Sequence, residues 1–426
     1  MTWQEKREER FNRWINSTNV EFINPEANKL YRERVTRFIK TIKLEEPDRV
    51  PVMLPTGNFP AYHAGLDLRT IMYDPEALLK AWIKFMDDFG DMDSFRGPSL
   101  TSPGKILDVL DPKTQKWPGH GLPEDASMNQ IVENEYMLSD EYDKWMTDPS
   151  DYQLRVNLPR TTGLFQPLKN LPPLRSMQAA NWVRVMSDPN ISSTFQMLIN
   201  LANEHRKWEA TMSKLRRLSI ERGYPSLTGG LMAGAPFDYF ADLLRGTHGI
   251  AMDMFRQPQK LHEAMERYLN NIINTTFRDF PMTDCPIIMM PLHKGDDTFM
   301  SDKQFEEFYW PYLRRLLLAM VNEGLVPMPF AEGKFTNRLK QITDTPKSSI
   351  IWYFDQTDMA EAKRILGRIS CIAGNVPTSI VKTAPPEIVK EHCRKLIEEC
   401  SSGGGYILSG GASIDKGNIE NLKVMM

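Results

Sequence analysis

The chain has 426 residues, 41% hydrophobic and 25% charged, the make-up of a globular protein with room for an α/β barrel and insertions. Its 52 basic and 55 acidic side chains leave a formal charge of −3, which offers no general attraction to nucleic acid or to an anionic membrane. No apolar run approaches the ~20 residues of a membrane helix. The four cysteines (Cys285, Cys371, Cys393, Cys400) form no CxxC pair or secreted framework, so reduced thiols in a cytoplasm are expected.

The N-terminal "MTWQEKREERFNRW" mixes acids and bases with no hydrophobic stretch, unlike a signal peptide. Residues 1–48 read as an arm of two polar helices. The second starts at Asn24-Pro25, where Asn caps free amides and proline suits a first turn. No Gly/Ser linker follows, so the arm is expected to pack on the rest, a unit spanning 49–426. Strand-like runs come next at "VPVMLP" (50–55) and "MDSFRG" (92–97). The stretch from about 98 to 220, with "WPGHGLPED", "IVENEYMLSDEYDKW" and "LPRTTGLFQPLKNLPPL", breaks the rhythm and reads as an insertion serving as lid or interface.

From residue 224 apolar runs alternate with helical patterns: 224–230, 285–291, 325–330, 349–355, 370–375 and 405–411. Ser301 with Gln304 and Asp358 with Glu361 match capping boxes, and Asn322-Glu-Gly324 is a helix stop. Continuous apolar strands separated by helices imply a parallel sheet covered by helices. With the two early runs there are eight strands, which favours a closed (β/α)8 barrel. No glycine-rich dinucleotide fingerprint follows the first strand, against an open doubly wound sheet.

Catalytic groups of such a barrel stand at the C-terminal ends of its strands. Those ends carry Thr56 and Asn58, Arg96, Thr228, His293 with Lys294, Asp296 and Asp297, Glu332 and Lys334, Asp355, Asn375, and Ser409 with Ser413. His293, Glu332 and Asp355, on three consecutive strand ends, make a nitrogen–oxygen donor set for zinc or a similar divalent cation. Lys294, Lys334 and Arg96 could hold a substrate carboxylate or screen the acids. The same residues could instead be ion pairs and helix caps around the mouth. No GxSxG elbow occurs. "SSGGGYILSGG" precedes a strand, so its glycines read as close backbone packing.

In order along the chain, "GGLMAGAPFDYFADLLRGTHGIAMDMFRQPQKLHEAM" (229–265), "HKGDDTFMSDKQFEEFYWPYL", "FAEGKF", "DQTDMAEAK", "CIAGNVPTSIV" and "GGGYILSGGASI" resemble the uroporphyrinogen decarboxylase superfamily, from about residue 46 onward. The resemblance implies a (β/α)8 barrel and one of two activities: decarboxylation of a porphyrinogen, or zinc-dependent methyl transfer to or from a corrinoid protein. The decarboxylases carry paired arginines after the first strand, and here "PVMLPTGNFPAYHAG" has none. Thiol-activating methyltransferases carry H-x-C-G and a later cysteine, where this chain has Phe330, Glu332 and Ala412.

The methyltransferases of O-demethylation systems are the more similar branch. That resemblance implies methyl transfer from a small methoxylated donor to the cob(I)amide of a separate corrinoid protein. Zinc would be held by His293, Glu332 and Asp355, with Asp296 or Lys294 in proton transfer and Asn58, Arg96, Lys334 and Asn375 facing the substrate. No DxHxxG cobalamin signature occurs, so the cobamide would arrive on its partner protein. A homodimer is also expected. Two alternatives stay open: a decarboxylase or lyase of a smaller carboxylic acid, and a non-catalytic binding protein that kept the barrel.

Overall fold

A computed structural model of the chain describes residues 1–17 and 20–426. Six parallel strands form one curled sheet: β1 (Val52–Met53), β2 (Ile287–Leu292), β3 (Val326–Ala331), β4 (Ile351–Phe354), β5 (Cys371–Val376) and β6 (Tyr406–Gly410). Their order across the sheet is β1-β6-β5-β4-β3-β2. Sequential strands lie side by side because the chain returns after each, through helices everywhere but between β3 and β4, where residues 332–350 return in turns.

The remaining two expected strands are not regular strands. Residues 92–97 and 224–230 reduce to one parallel bridge, Phe95 with Ser226, and just beyond them Met232 bridges Met289. The Gly229 and Ala233 amides still donate to the Ile287 and Met289 carbonyls, at 2.7 and 3.2 Å. These two segments therefore continue from β2 toward β1, which the Asp93 side chain meets at the Val52 amide. Pro225, Gly229, Gly230 and Gly234 explain the lost regularity, since proline lacks a donor and glycine weakens a strand.

Strand residues alternate between two cores, as the two-residue period of a strand requires. Val52, Ile288, Met290, Trp352, Phe354, Ile372 and Leu408 face the surrounding helices. Met53, Ile287, Val326, Met328, Ile351, Tyr353, Cys371, Ala373 and Ile407 fill the barrel interior. The interior continues into the arm, helices α1 (Trp3–Asn16) and α2 (Pro25–Ile42), through Phe11, Trp14, Tyr31, Val35, Phe38 and Ile42. The arm thus plugs one end of the barrel with apolar side chains, and the other end is left for polar ones.

Local signals set the helix ends. Thr2 and Glu5 form a reciprocal capping box, and the Asn24 side chain accepts from the Ala27 amide with Pro25 in the first turn. Ser301 and Gln304 form the expected box. Asp358 caps by accepting from the Glu361 amide, while the Glu361 side chain pairs with Arg364 instead. Buried Asp93 ties the arm to the barrel, accepting from Arg37, from both Arg49 terminal nitrogens at 2.7 Å, and from the Val52 amide at 2.8 Å.

Within 98–220 the chain forms a small three-stranded sheet, several short helices and one 33-residue helix, Pro189–Glu221. Trp208 and Leu215 of that helix join the main core, while Leu168, Leu171, Val185 and Ile191 make a separate small cluster. All four cysteines are buried, and burial raises the thiols of Cys285 and Cys400 to about 12. Among the described residues no helix is long and apolar enough to cross a membrane.

Candidate active site

The register across the sheet places one layer of the interior at Pro291, Phe330, Tyr353, Ala373 and Ile407, each paired with the next. Two residues further along, the same inward phase brings His293, Glu332, Asp355, Asn375 and Ser409 to the C-terminal rim. Asn375 pairs directly with Ser409, and Ser409 with Met53. A polar ring therefore crowns the apolar interior. Lys294 lies one residue out of phase and points to the flanking helix instead.

His293 is the hinge of this ring. Its Nδ1 lies 2.6 Å from Asp242 Oδ2, and its Nε2 faces Glu332 Oε1 at 3.7 Å. The hydrogen bond to Asp242 raises the imidazole to about 9, against the cost of burial and with help from Glu332 and Asp238. Burial raises the Glu332 carboxyl; Asp355 and Asp242 push the same way and His293 opposes them. Lys294 Nζ donates to Glu133 at 2.6 Å and to Thr247 at 2.9 Å, and stands 3.5 Å from Asp242 Oδ1. Burial pulls this amine down, yet Glu133 and Asp242 hold it above its usual value.

Behind the ring, Asp238 fixes the end of β2. Its carboxylate accepts from the His293 amide at 3.0 Å, the Lys294 amide at 3.1 Å and the Tyr309 hydroxyl at 2.8 Å. Burial, with Asp242 adding, raises Asp238 to about 6. Asp238 and Asp242 are four residues apart on the helix Pro236–Phe240 and its π-turn continuation Ala241–Arg245, a spacing that stacks them on one face. That spacing in "PFDYFADLL", directly after a glycine-rich segment, was the signal that sequence reading passed over. Glu133 and Tyr309 came without any signal, since both arrive by long-range packing.

Gly333 lets the rim close. It adopts φ +78°, and a Cβ there would meet Asp296 Oδ2 at 2.7 Å. In that conformation its amide reaches Asp355 Oδ2 at 3.1 Å, which locks the loop after β3 to the end of β4.

The other expected site residues are distributed unevenly. Asp296 is held within its own turn, accepting from the Thr298 hydroxyl at 2.7 Å and the Phe299 amide at 2.8 Å. Asn58 is buried and clamped: its Oδ1 accepts from Thr101 at 3.0 Å and its Nδ2 donates to the Ser127 carbonyl at 3.4 Å. Arg96 lies close enough to the buried Tyr353 phenol to counter part of the burial that raises its pKa. Asn375 stands in the ring and donates to the Thr357 carbonyl at 2.7 Å. Lys334 is exposed. The structure thus brings His293, Glu332, Asp355 and Asn375 to one rim, with Lys294 beside it and Asp296 and Asn58 engaged elsewhere.

Part of the insertion joins the rim. Ser127 meets Asn58 beyond β1, Glu133 meets Lys294 beyond β2, and Glu135 pairs with Arg245 at 2.5 Å. Residues 127–135 therefore run between the rim at β1 and the rim at β2.

For a divalent cation, the donor types fit. His293 offers Nε2 while its other nitrogen is fixed by a carboxylate, the arrangement in which an imidazole ligand is oriented and made more basic. Glu332 Oε1 faces the same gap. The placement falls one ligand short: among the described residues no three His, Cys, Asp or Glu side chains are grouped to hold a metal ion. Asp355, the third expected ligand, has its Oδ2 taken by the Gly333 amide and by Gln356 at 3.1 Å.

The barrel agrees with what comparison finds. Residues 200–426, over half of the chain, match the model of the family "Uroporphyrinogen decarboxylase (URO-D)", and the chain belongs to this family. Among solved structures, 25 chains match. One is a methyltransferase from Methanosarcina mazei, 14% identical, with a TM-score of 0.56 over 92% of this chain and 96% of that one. At this identity the likeness is one of fold. No curated protein matches the sequence.

Proposed function

We propose that the protein is a methyltransferase that moves a methyl group from a small methoxylated donor to the cob(I)amide of a separate corrinoid protein. The observation that carries this reading is His293, held between Asp242 and Glu332 at the barrel rim beside a first loop that lacks arginines. A porphyrinogen with many carboxylates would find no arginine fork there. The fold likeness to a methyltransferase supports the same choice.

The demanding event is loss of an alkoxide or phenoxide, a poor leaving group. The methyl carbon–oxygen bond breaks, the methyl group passes to the cobamide, and negative charge stays on the oxygen. Both responses to that charge converge on one atom of this chain, Nε2 of His293. In the metal-free protein that nitrogen carries a proton at neutral pH and can donate it to the leaving oxygen. His293 and Glu332, joined by Asp355 if it gave up its bond to the Gly333 amide, are also the residues that would hold zinc, which when bound would supply a Lewis acid for the same oxygen. Asp242 orients the ring in either case. Asp238 keeps β2 at the height that brings His293 opposite Glu332, and Lys294 balances Asp242 and Glu133. Substrate contacts fall to Asn375 in the ring and to Arg96 and Lys334 at its edge. The corrinoid partner docks over the rim beside residues 127–135, where Met128 and Ile131 are exposed.

A second reading is favoured by Arg96 at the rim: a carboxy-lyase acting on a smaller acid. One experiment separates the two. Purified protein, with and without zinc, is given reduced corrinoid protein and a panel of methoxy compounds and carboxylic acids. Methylation of the cobamide, lost in Glu332→Gln, supports methyl transfer. Carbon dioxide released without corrinoid, and lost in Arg96→Ala, refutes it in favour of the lyase.

A further inference from the structure

A wide cleft lies away from the barrel mouth. It has a volume of about 910 Å³ and lies between the insertion and the helices that follow the 224–230 segment. It shares no lining residue with the polar ring. Three observations define its chemistry. Tyr239 and Tyr268 stack with centroids 4.0 Å apart and planes 14° apart, and buried Trp145 lines the same wall. Asn157, 7% exposed, donates its Nδ2 to Gln153 while its Oδ1, also buried, has no partner among the described residues. Arg267 stands at the opening with no carboxylate paired to it among the described residues.

We infer that this cleft binds a small planar aromatic acid carrying a ring hydroxyl. Aromatic walls favour a flat ring. A guanidinium at the opening favours a carboxylate. A buried acceptor without a donor is costly to leave unmet, and a ligand hydroxyl removes that cost. The volume is in the range of small-molecule sites. The cleft touches the mouth through one element only: Tyr239 and Leu243 face it from the helix that carries Asp238 and Asp242 on its next face. This inference does not rest on the proposed methyl transfer.

The test is calorimetric titration of the whole protein with 4-hydroxybenzoate, with benzoate, phenol and 4-hydroxycyclohexanecarboxylate as comparisons. Saturable one-to-one binding of 4-hydroxybenzoate is expected, with each comparison about tenfold weaker or worse because one feature is missing. Arg267→Ala, at an exposed position, weakens it about tenfold. Asn157→Leu brings it down to the level of benzoate. Glu332→Gln, at the mouth, leaves it unchanged. The inference is overturned by an absence of saturable binding, by Arg267→Ala binding as wild type does, or by any change of affinity in Glu332→Gln, tightening above all, which would put the acid in the mouth.

Discussion

Asp238→Ala tests whether the rim is held in place from behind. The wild-type carboxylate is buried and meets three donors: the His293 and Lys294 amides and the Tyr309 hydroxyl. Alanine orphans all three, at ~2 kcal/mol each, or about 6 kcal/mol in sum. Against this stands the cost of keeping a buried charge. Asp238 rises from 3.8 to about 6, which at neutral pH costs about 3 kcal/mol. The difference leaves a destabilisation of about 3 kcal/mol, measurable by urea unfolding followed through tryptophan fluorescence. The pH dependence has a definite sign. A carboxyl whose folded pKa lies above its unfolded one binds more protons when folded, so its contribution is present below about 3.8 and is lost as pH rises through 6. Asp238→Asn, which cannot ionise, should abolish that decline between pH 4 and 6. An Asp238→Ala protein that unfolds at the wild-type urea concentration, or an Asp238→Asn protein that keeps the decline, would refute the reasoning.

Three further outcomes are expected. Asp242→Asn removes the main support of the His293 proton, so in metal-free protein its NMR titration should move from about 9 toward the ordinary imidazole value, and zinc affinity should fall about 10–100-fold. Zinc must displace the proton on Nε2, so at pH 7.5 its binding should release about one proton, read from calorimetry in buffers of different ionisation heats. Gly333→Ala forces a Cβ into φ +78° and against Asp296, so a loss of about 1–3 kcal/mol in stability is expected, with Glu332 displaced and methyl transfer lowered more than donor binding.

The rim was readable where the chain itself carries the phase. In β2, β3, β4 and β5 an unbroken apolar run ends in a polar residue, and a period of two then sets His293, Glu332, Asp355 and Asn375 on one side. Where proline and glycine interrupt the run, as at Pro225 and Gly229, the expected strand is reduced to single bridges, and the sheet has six strands where eight were expected. Asn58 illustrates a different limit. Its place after β1 suggested a substrate contact, yet Thr101 and Ser127 fold back onto it and use both ends of its amide. Asp296 was taken by its own turn, a short-range competition that strand-end logic ignores. The residues that orient His293 and Lys294 were harder to reach. Asp238 and Asp242 belong to a helix, and Glu133 lies 161 residues before the lysine it pairs with.

Methyl transfer at His293 and Glu332 is tested most directly by following the labelled carbon itself. Zinc-loaded protein is mixed with reduced corrinoid protein and donors labelled with 13C in the methoxy group, and the cobamide is examined by NMR. The label should appear on the cobamide with at least one donor in wild type, and be absent in Glu332→Gln. Label that stays on oxygen with every donor, or that transfers equally well in Glu332→Gln, contradicts the account.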